Sequence, residues 1–153
     1  MRYLIDTNVI SELRKDERRN PSVSLWYASV REESLYLSAL VIGEIRKGVE
    51  RLRRRDTVRA DVLEQWLLAV KDAFAGRILP VDETVSETWG RFNASRSLPV
   101  LDSLLAATAR VHHLTLVTRN TGQIADLGVD LLNPFRSAGE DAGADALADV
   151  KGA

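Results

Sequence analysis

Apolar residues along the first 136 positions alternate between short runs and longer segments with helical spacing. The short runs predict strands at residues 3–5, 35–37, 78–79, 114–117 and 129–132. Between them, apolar residues recur every three or four positions, which predicts helices over residues 9–15, 21–30, 41–52, 58–74, 85–92 and 101–113. Strands that alternate with helices favour an α/β architecture with a mostly parallel central sheet.

Polar and small residues mark several ends of the predicted helices. Ser38 and Asp82 are placed to cap helices that begin after them, and Gly76 is placed to stop the helix over residues 58–74. Three tryptophans lie in apolar helical stripes, which favours packing in the core over stacking on nucleic-acid bases: Trp26, Trp66 and Trp89.

Composition separates a globular body from a tail. A chain of 153 residues is the usual size of one domain, and we expect that domain to occupy residues 1–136. Residues 137–153 lack aromatic side chains and carry four acids against one lysine, so we expect an acidic, mobile tail rich in Ala and Gly. The body is therefore net positive, although the whole chain has a formal charge of −1.

Other features of the composition exclude classes of chemistry. The chain has no cysteine, so disulfides, thiolate metal sites and cysteine nucleophiles are excluded. No apolar run is long enough to cross a membrane, and Asp6 interrupts any apolar stretch at the N-terminus, so we expect a cytoplasmic protein. A metal ion would have to be held by oxygen atoms or by the two histidines.

Positive charge is concentrated between residues 46 and 59, where seven basic residues face two acids. Such a run is most often a solvated helix face, but it can also attract phosphates or bind a partner. The run alone does not decide between these interpretations. The residues considered for RNA or partner binding are Arg46, Lys47, Arg51, Arg53, Arg54 and Arg55.

Two acids lie where a predicted helix begins. Asp6 directly follows the first strand, a place where α/β proteins bind ligands, but acids commonly cap the next helix, so Asp6 alone is a weak signal. Asp102 opens a helical face that is otherwise apolar or small, and the helix dipole also favours an acid at that position.

Glu44 lies beside the apolar stripe of a predicted helix, where an unpaired carboxylate is costly. An ion pair with Arg46 or Lys47 is the competing explanation, and we expect those neighbours to diverge from Glu44 around the helix. Gly48, one turn later, is expected to leave that side of the helix open.

Carboxylates that converge repel one another, so one must be protonated or a cation must join them. With oxygen ligands alone, Mg²⁺ or Mn²⁺ is the natural cation. Asp6, Glu44 and Asp102 together therefore predict a site at which such a metal polarises a phosphoryl oxygen and activates water.

Five segments occur in a fixed order: residues 4–13 (LIDTNVISEL), 38–48 (SALVIGEIRKG), 98–109 (LPVLDSLLAATA), 115–121 (TLVTRNT) and 131–135 (LLNPF). In this order and spacing they resemble the motifs of PIN-domain proteins, in particular the VapC and FitB type of toxin–antitoxin ribonuclease. The resemblance covers residues 1 to about 136, which is the whole of the predicted globular body.

The resemblance implies a three-layer α/β/α sandwich that cleaves RNA as an endonuclease with Mg²⁺ or Mn²⁺. Asp6, Glu44 and Asp102 would be the catalytic metal ligands, and Thr118 and Asn120 would support them. The protein would be a homodimeric toxin, inhibited by a small antitoxin that inserts a segment into the acidic cleft.

One position departs from the family pattern. The family usually has an acid three residues after the Asn of the fourth motif, and this chain has Gln123, a neutral amide in the supporting shell. Asp126 is one turn further on and is expected to be a surface residue. We therefore expect weaker metal binding, and an alternative function stays open: a PIN-fold protein that binds RNA or a partner with little or no cleavage.

Overall fold

The computed structural model describes residues 1–137, and the predicted tail therefore lies almost wholly outside the described residues. A five-stranded sheet with the order β3-β2-β1-β4-β5 forms the centre, and all of its strand pairings are parallel. Its strands are β1 (Tyr3–Ile5), β2 (Leu35–Ser38), β3 (Ile78–Leu79), β4 (Thr115–Val117) and β5 (Leu131–Leu132). The predicted α/β class and the parallel sheet are confirmed.

Six helices connect and cover these strands in an α/β/α sandwich, as the sequence predicted. They are α1 (Thr7–Leu13), α2 (Pro21–Ser29), α3 (Ala39–Arg53), α4 (Thr57–Ala73), α5 (Glu83–Phe92) and α6 (Val100–His112). No helix within residues 1–137 is long and apolar enough to span a membrane.

The helix starts follow from side chains that accept hydrogen bonds from the first free backbone N–H groups. Ser38 caps α3 and Asp82 caps α5, as predicted. Asn20 caps α2, which has a proline at its first position, and Asp56 caps α4. Gly76 follows the end of α4 with φ of +78°, a conformation that favours glycine.

The core lies on both faces of the sheet. Leu4, Ile5 and Leu37 are fully buried strand residues. The predicted stripe of α3 packs against them through Val41, Ile45 and Val49, with Leu52 only partly buried. Burial of apolar side chains of this size is the dominant stabilising contribution to such a layered fold.

The three tryptophans are partly buried and pack within the fold. Trp26 meets Tyr3 edge to face with 5.6 Å between ring centroids, and Trp66 lies under the guanidinium of Arg14. Trp89 donates a hydrogen bond from its indole N–H to Ser103 Oγ at 3.0 Å, which ties α5 to α6.

The connectivity creates a switch point beside β1. The chain adds β2 and then β3 on one side of β1, and later returns to add β4 and β5 on the other side. The carboxyl ends of β1 and β4 therefore lie next to each other where connections diverge, which is the usual ligand-binding crevice of an open α/β sheet.

Candidate active site

Asp6 occupies this crevice as the first residue after β1. Its backbone N–H donates to the carbonyl of Val117 at 3.0 Å, which extends the pairing of β1 with β4 by one residue. Its side chain is only 4% exposed, and Oδ1 accepts a 2.6 Å hydrogen bond from the N–H of Thr7 at the start of α1. Asp6 is thus a helix cap, which was the competing explanation of this acid in the sequence. Its hydrogen bonds also fix its side chain in the crevice.

Thr118 fixes the other oxygen of Asp6 from the end of β4. Its hydroxyl donates to Asp6 Oδ2 at 2.6 Å, and it accepts from the N–H of Asn120 at 3.1 Å. Asn8 adds a bond from Nδ2 to Asp6 Oδ2 at 3.2 Å and accepts from the N–H of Arg119. The ends of β1 and β4 are therefore cross-linked through one carboxylate.

Asn8 is a site residue that the sequence interpretation missed. The spacing of Asn8 could have indicated this role. Asn8 is two residues after Asp6, in the first turn of the helix that Asp6 caps, so its side chain can reach the same crevice.

Asp102 approaches the crevice from the first turn of α6. Burial raises the pKa of its carboxyl, and a hydrogen bond from the side chain of Asn120 partly offsets that increase. Asn120 thus connects the loop after β4 to Asp102, while Thr118 connects the end of β4 to Asp6.

The electrostatics of Asp6 report the proximity of the three acids. Burial is the largest cause that raises the pKa of Asp6, and the hydrogen bonds from Thr118 and Thr7 oppose it. The negative charges of Asp102 and Glu44 raise this pKa further. All three predicted acids therefore share one electrostatic neighbourhood around the buried Asp6.

Glu44 differs from the expectation in its immediate contacts. Its side chain is 34% exposed, and Lys47 Nζ lies 3.8 Å from Glu44 Oε1, so the expectation that Lys47 diverges is wrong. Helix α4 borders the side of α3 at Gly48 but leaves room there, since a Cβ on Gly48 would meet only Leu63, at an ordinary contact distance of 3.9 Å. The helical spacing of three residues brings Lys47 within reach of Glu44.

The three carboxylates do not form a ready coordination shell. Within residues 1–137, no three acidic or histidine side chains are grouped closely enough to hold one metal ion in the positions seen. Asp6 is fixed by its hydrogen bonds, whereas Glu44 is a partly exposed side chain on a long stem.

Gln123 lies in a 3₁₀ turn, Gly122–Ile124, that follows β4. It is exposed and lines a cavity together with Asp102 and Asn120. Asp126, by contrast, is a surface residue as predicted, and it pairs with Arg96 through two bonds of 2.6 and 2.8 Å.

The basic stretch divides into two groups of residues. Arg46 and Arg53 both pair with Glu64 of α4, and Arg53 also pairs with Asp61. These two arginines therefore tie α3 to α4, a role that the sequence interpretation did not foresee. The exposed members are Lys47, Arg51, Arg54, Arg55 and Arg59.

Comparison with known proteins gives a consistent result. The family model of the PIN domain matches residues 3–128. Toxin FitB of Neisseria gonorrhoeae is 37% identical over 139 residues, which cover 86% of this chain and 97% of that protein. A VapC ribonuclease of Sinorhizobium fredii, Y4jK, is 34% identical over 142 residues, covering 88% of this chain and 99% of that protein. The crystal structure of FitAcB from Neisseria gonorrhoeae superposes with a TM-score of 0.80 at 35% identity, covering 88% of this chain and 99% of that chain.

Proposed function

Because the chain belongs to the PIN-domain family, we propose that it is a metal-dependent endoribonuclease that acts as the toxin of a toxin–antitoxin pair. The observation that carries this proposal is the state of Asp6. It is buried, fixed by three donors, and its pKa is raised by burial and by two further carboxylates. Such a group is favourable only when a proton or a cation joins it.

Mg²⁺ or Mn²⁺ fits the donors at this site. Asp6, Glu44 and Asp102 offer carboxylate oxygens alone, the ligand type that these hard cations prefer. We assign these three side chains as the metal ligands and catalytic residues. Glu44 must leave Lys47 to take part, which is a small change for a pair at 3.8 Å on the surface of one helix. The bound metal would polarise a phosphoryl oxygen and lower the pKa of a water molecule.

The supporting residues would set the direction of the ligand oxygens. Thr118 and Asn8 both donate to Asp6 Oδ2, and Asn120 donates to Asp102. Donors of this kind orient a carboxylate and prevent it from rotating when the charge beside it changes. Gln123 offers at most a neutral oxygen, which would leave the acidic site with less negative charge.

The partners follow from the same family membership. The substrate would be RNA, the inhibitor a small antitoxin, and the active form a homodimer. Relatives of this chain are called a toxin and a ribonuclease, which supports both parts of the proposal. Of the basic stretch, the exposed Arg51, Arg54 and Arg55 would contact RNA or a partner, because Arg46 and Arg53 are engaged by α4.

Gln123 supports a second candidate function, a PIN-fold protein that binds RNA or a partner and cleaves weakly or not at all. An amide cannot supply the charge of the acid that the family usually has there. The two functions differ in one measurable property, which is cleavage of RNA that depends on added metal.

Calorimetric titration with Mn²⁺ and Mg²⁺, on the wild type and on Asp102→Asn, tests the proposal with RNA cleavage assayed in parallel. We expect metal binding and cleavage in the wild type and loss of both in the variant. Metal binding without cleavage would favour the second function, and Gln123→Asp would then test whether a restored acid restores cleavage. Absence of metal binding in protein shown to be folded would overturn the assignment of a metal nuclease.

A further inference from the structure

A large polar cavity lies beside the candidate active site, on the side of Asp102. It has a volume of about 690 Å³ and lies between the loop that joins α5 to α6 and the turn Gly122–Ile124. Arg96 and Ser97 line it from the loop, and Gln123 and Asp126 line it from the other side. Its volume falls within the range of roughly 300–1,000 Å³ typical of cavities that hold small organic ligands.

This cavity adjoins a smaller one at the acidic site. The smaller cavity, of about 370 Å³, is lined by Asp102, Asn120, Gly122 and Gln123. Gly122 and Gln123 belong to the walls of both cavities. A chain of nucleotides that places a phosphate at Asp102 would therefore extend past Gln123 into the larger space.

Arg96 places a phosphate-binding group in the larger cavity. Its guanidinium bonds both oxygens of Asp126, at 2.6 and 2.8 Å, and also the carbonyl of Gln123 at 2.9 Å. A carboxylate held by two parallel N–H groups has the same geometry as a bound phosphate. The pair is solvent-accessible, with side chains 47% and 63% exposed, so a competing anion can replace Asp126 at little cost.

Gln123 adds a group that can distinguish nucleotides. Its amide offers both donors and an acceptor, which is the combination that recognises the edge of a base. An acid at the same position would repel the phosphates on either side of it. The departure from the family pattern therefore removes charge at a place that RNA bound across both cavities would pass.

We propose that Arg96 and Gln123 form a subsite for one nucleotide of single-stranded RNA next to the scissile phosphate. Arg96 binds the phosphate of that nucleotide in exchange for Asp126, and Gln123 contacts its base. This inference rests on the proposed function, because it assumes that RNA lies across the acidic site.

Two substitutions with opposite expected effects test the role of Arg96. With a randomised single-stranded RNA pool as the probe, Arg96→Ala should raise KM about five- to tenfold and change kcat little. Asp126→Asn should leave KM unchanged or lower it, because it frees the guanidinium for phosphate. Arg91→Ala is the matched control, since it removes an exposed arginine that pairs weakly with Glu87 at the end of α5.

A purely structural role of the ion pair predicts a different result. Both Arg96→Ala and Asp126→Asn break that pair, so the two variants would then raise KM alike, and this outcome would overturn the proposal. Binding of uncut RNA in an Asp6→Asn background gives a second readout. There, Arg96→Ala should reduce the slope of log affinity against log salt concentration by about 0.7, the value for one lost phosphate contact on a single strand.

Sequencing the ends of the cleaved pool tests Gln123. Gln123→Ala should reduce the preference for one base beside the cut by about tenfold. Unchanged base preference would exclude Gln123 as a recognition residue. Both results can be distinguished from failure of the proposed function, because a wild type without that function would cut no RNA at all.

Discussion

The two ends of helix α1 each bury one carboxylate, and the groups around the two carboxylates are opposite in charge. Glu12, near the C-terminal end, is 6% exposed and Asp6, which caps the N-terminal end, is 4% exposed. Lys15 Nζ lies 2.7 Å from Glu12, and the N–H of Asn20 donates to it at 2.8 Å. The charged neighbours of Asp6 are instead Asp102 and Glu44.

The pKa values of the two carboxyls shift in opposite directions for this reason. Hydrogen bonds from Lys15 and Asn20 lower the pKa of Glu12, whereas burial and two like charges raise the pKa of Asp6. A buried acid with its own cation contributes to folding, and a buried acid among other acids costs folding energy unless a cation binds. The comparison therefore separates a structural carboxylate from the one that we propose binds metal, at the two ends of a single short helix.

Asp6→Asn should have the largest effect on activity. The amide keeps the shape of the side chain but removes the charge of a proposed metal ligand, so RNA cleavage should fall roughly a hundred- to a thousandfold. Without metal, the variant should be at least as stable as the wild type, because a neutral group costs less to bury. Cleavage assays and chemical denaturation in the presence of a chelator check both parts. Wild-type cleavage by Asp6→Asn would contradict the assignment of Asp6.

Glu44→Gln should have the next largest effect, because it removes the charge of a proposed metal ligand that is only 34% exposed. We expect metal affinity to fall roughly ten- to a hundredfold, with cleavage reduced in parallel. Lys47→Ala is the matched control on the same helix. It releases Glu44 from its ion pair, so metal affinity should stay the same or rise. Equal loss in both variants would show that the pair with Lys47, and not metal binding, is the role of Glu44.

The helices, strands and three acids were predictable because they depend on local sequence. The spacing of apolar residues located the strands of the sheet and the α-helices that cover it. Ser38 and Asp82 indicated where two of those helices begin. Asp6 and Asp102 were visible as acids at helix starts, where the sheet topology brings strand ends together.

The contacts that were missed join residues far apart in the chain. Arg46 and Arg53 looked like a free basic surface, but their partner Glu64 lies on another helix that folds back on α3. The role of Glu12 could not be predicted for the same reason. It depends on the loop after α1, which brings the N–H of Asn20 within hydrogen-bond distance of Glu12. Sequence spacing shows which face a residue occupies, but not what lies opposite that face.

Glu12→Gln should affect stability and leave catalysis intact. The amide can still accept from Asn20, but it loses the charge that Lys15 stabilises, so the free energy of unfolding should fall by about 1–2 kcal/mol. Metal affinity and cleavage should match the wild type at temperatures where the variant is folded. Denaturant unfolding together with calorimetry measures both quantities. A large loss of metal affinity in folded Glu12→Gln would remove the distinction between the two carboxylates.

The pH dependence of stability should show the smallest effect, with opposite sign for the two acids. The pKa of Asp6 is raised above 3.8 in the folded state, so the folded protein binds more protons and loses stability as pH rises through that raised pKa. The pKa of Glu12 is lowered from 4.5, so its contribution is complete above 4.5 and is lost as pH falls through the lowered pKa. In chelator, Asp6→Asn should therefore be more stable than the wild type at neutral pH and Glu12→Gln less stable. Both differences should shrink in acid, because each carboxyl of the wild type then takes up its proton. Denaturant unfolding of the three proteins across this pH range measures the two differences, and differences of the same sign would contradict the account of how each carboxylate is neutralised.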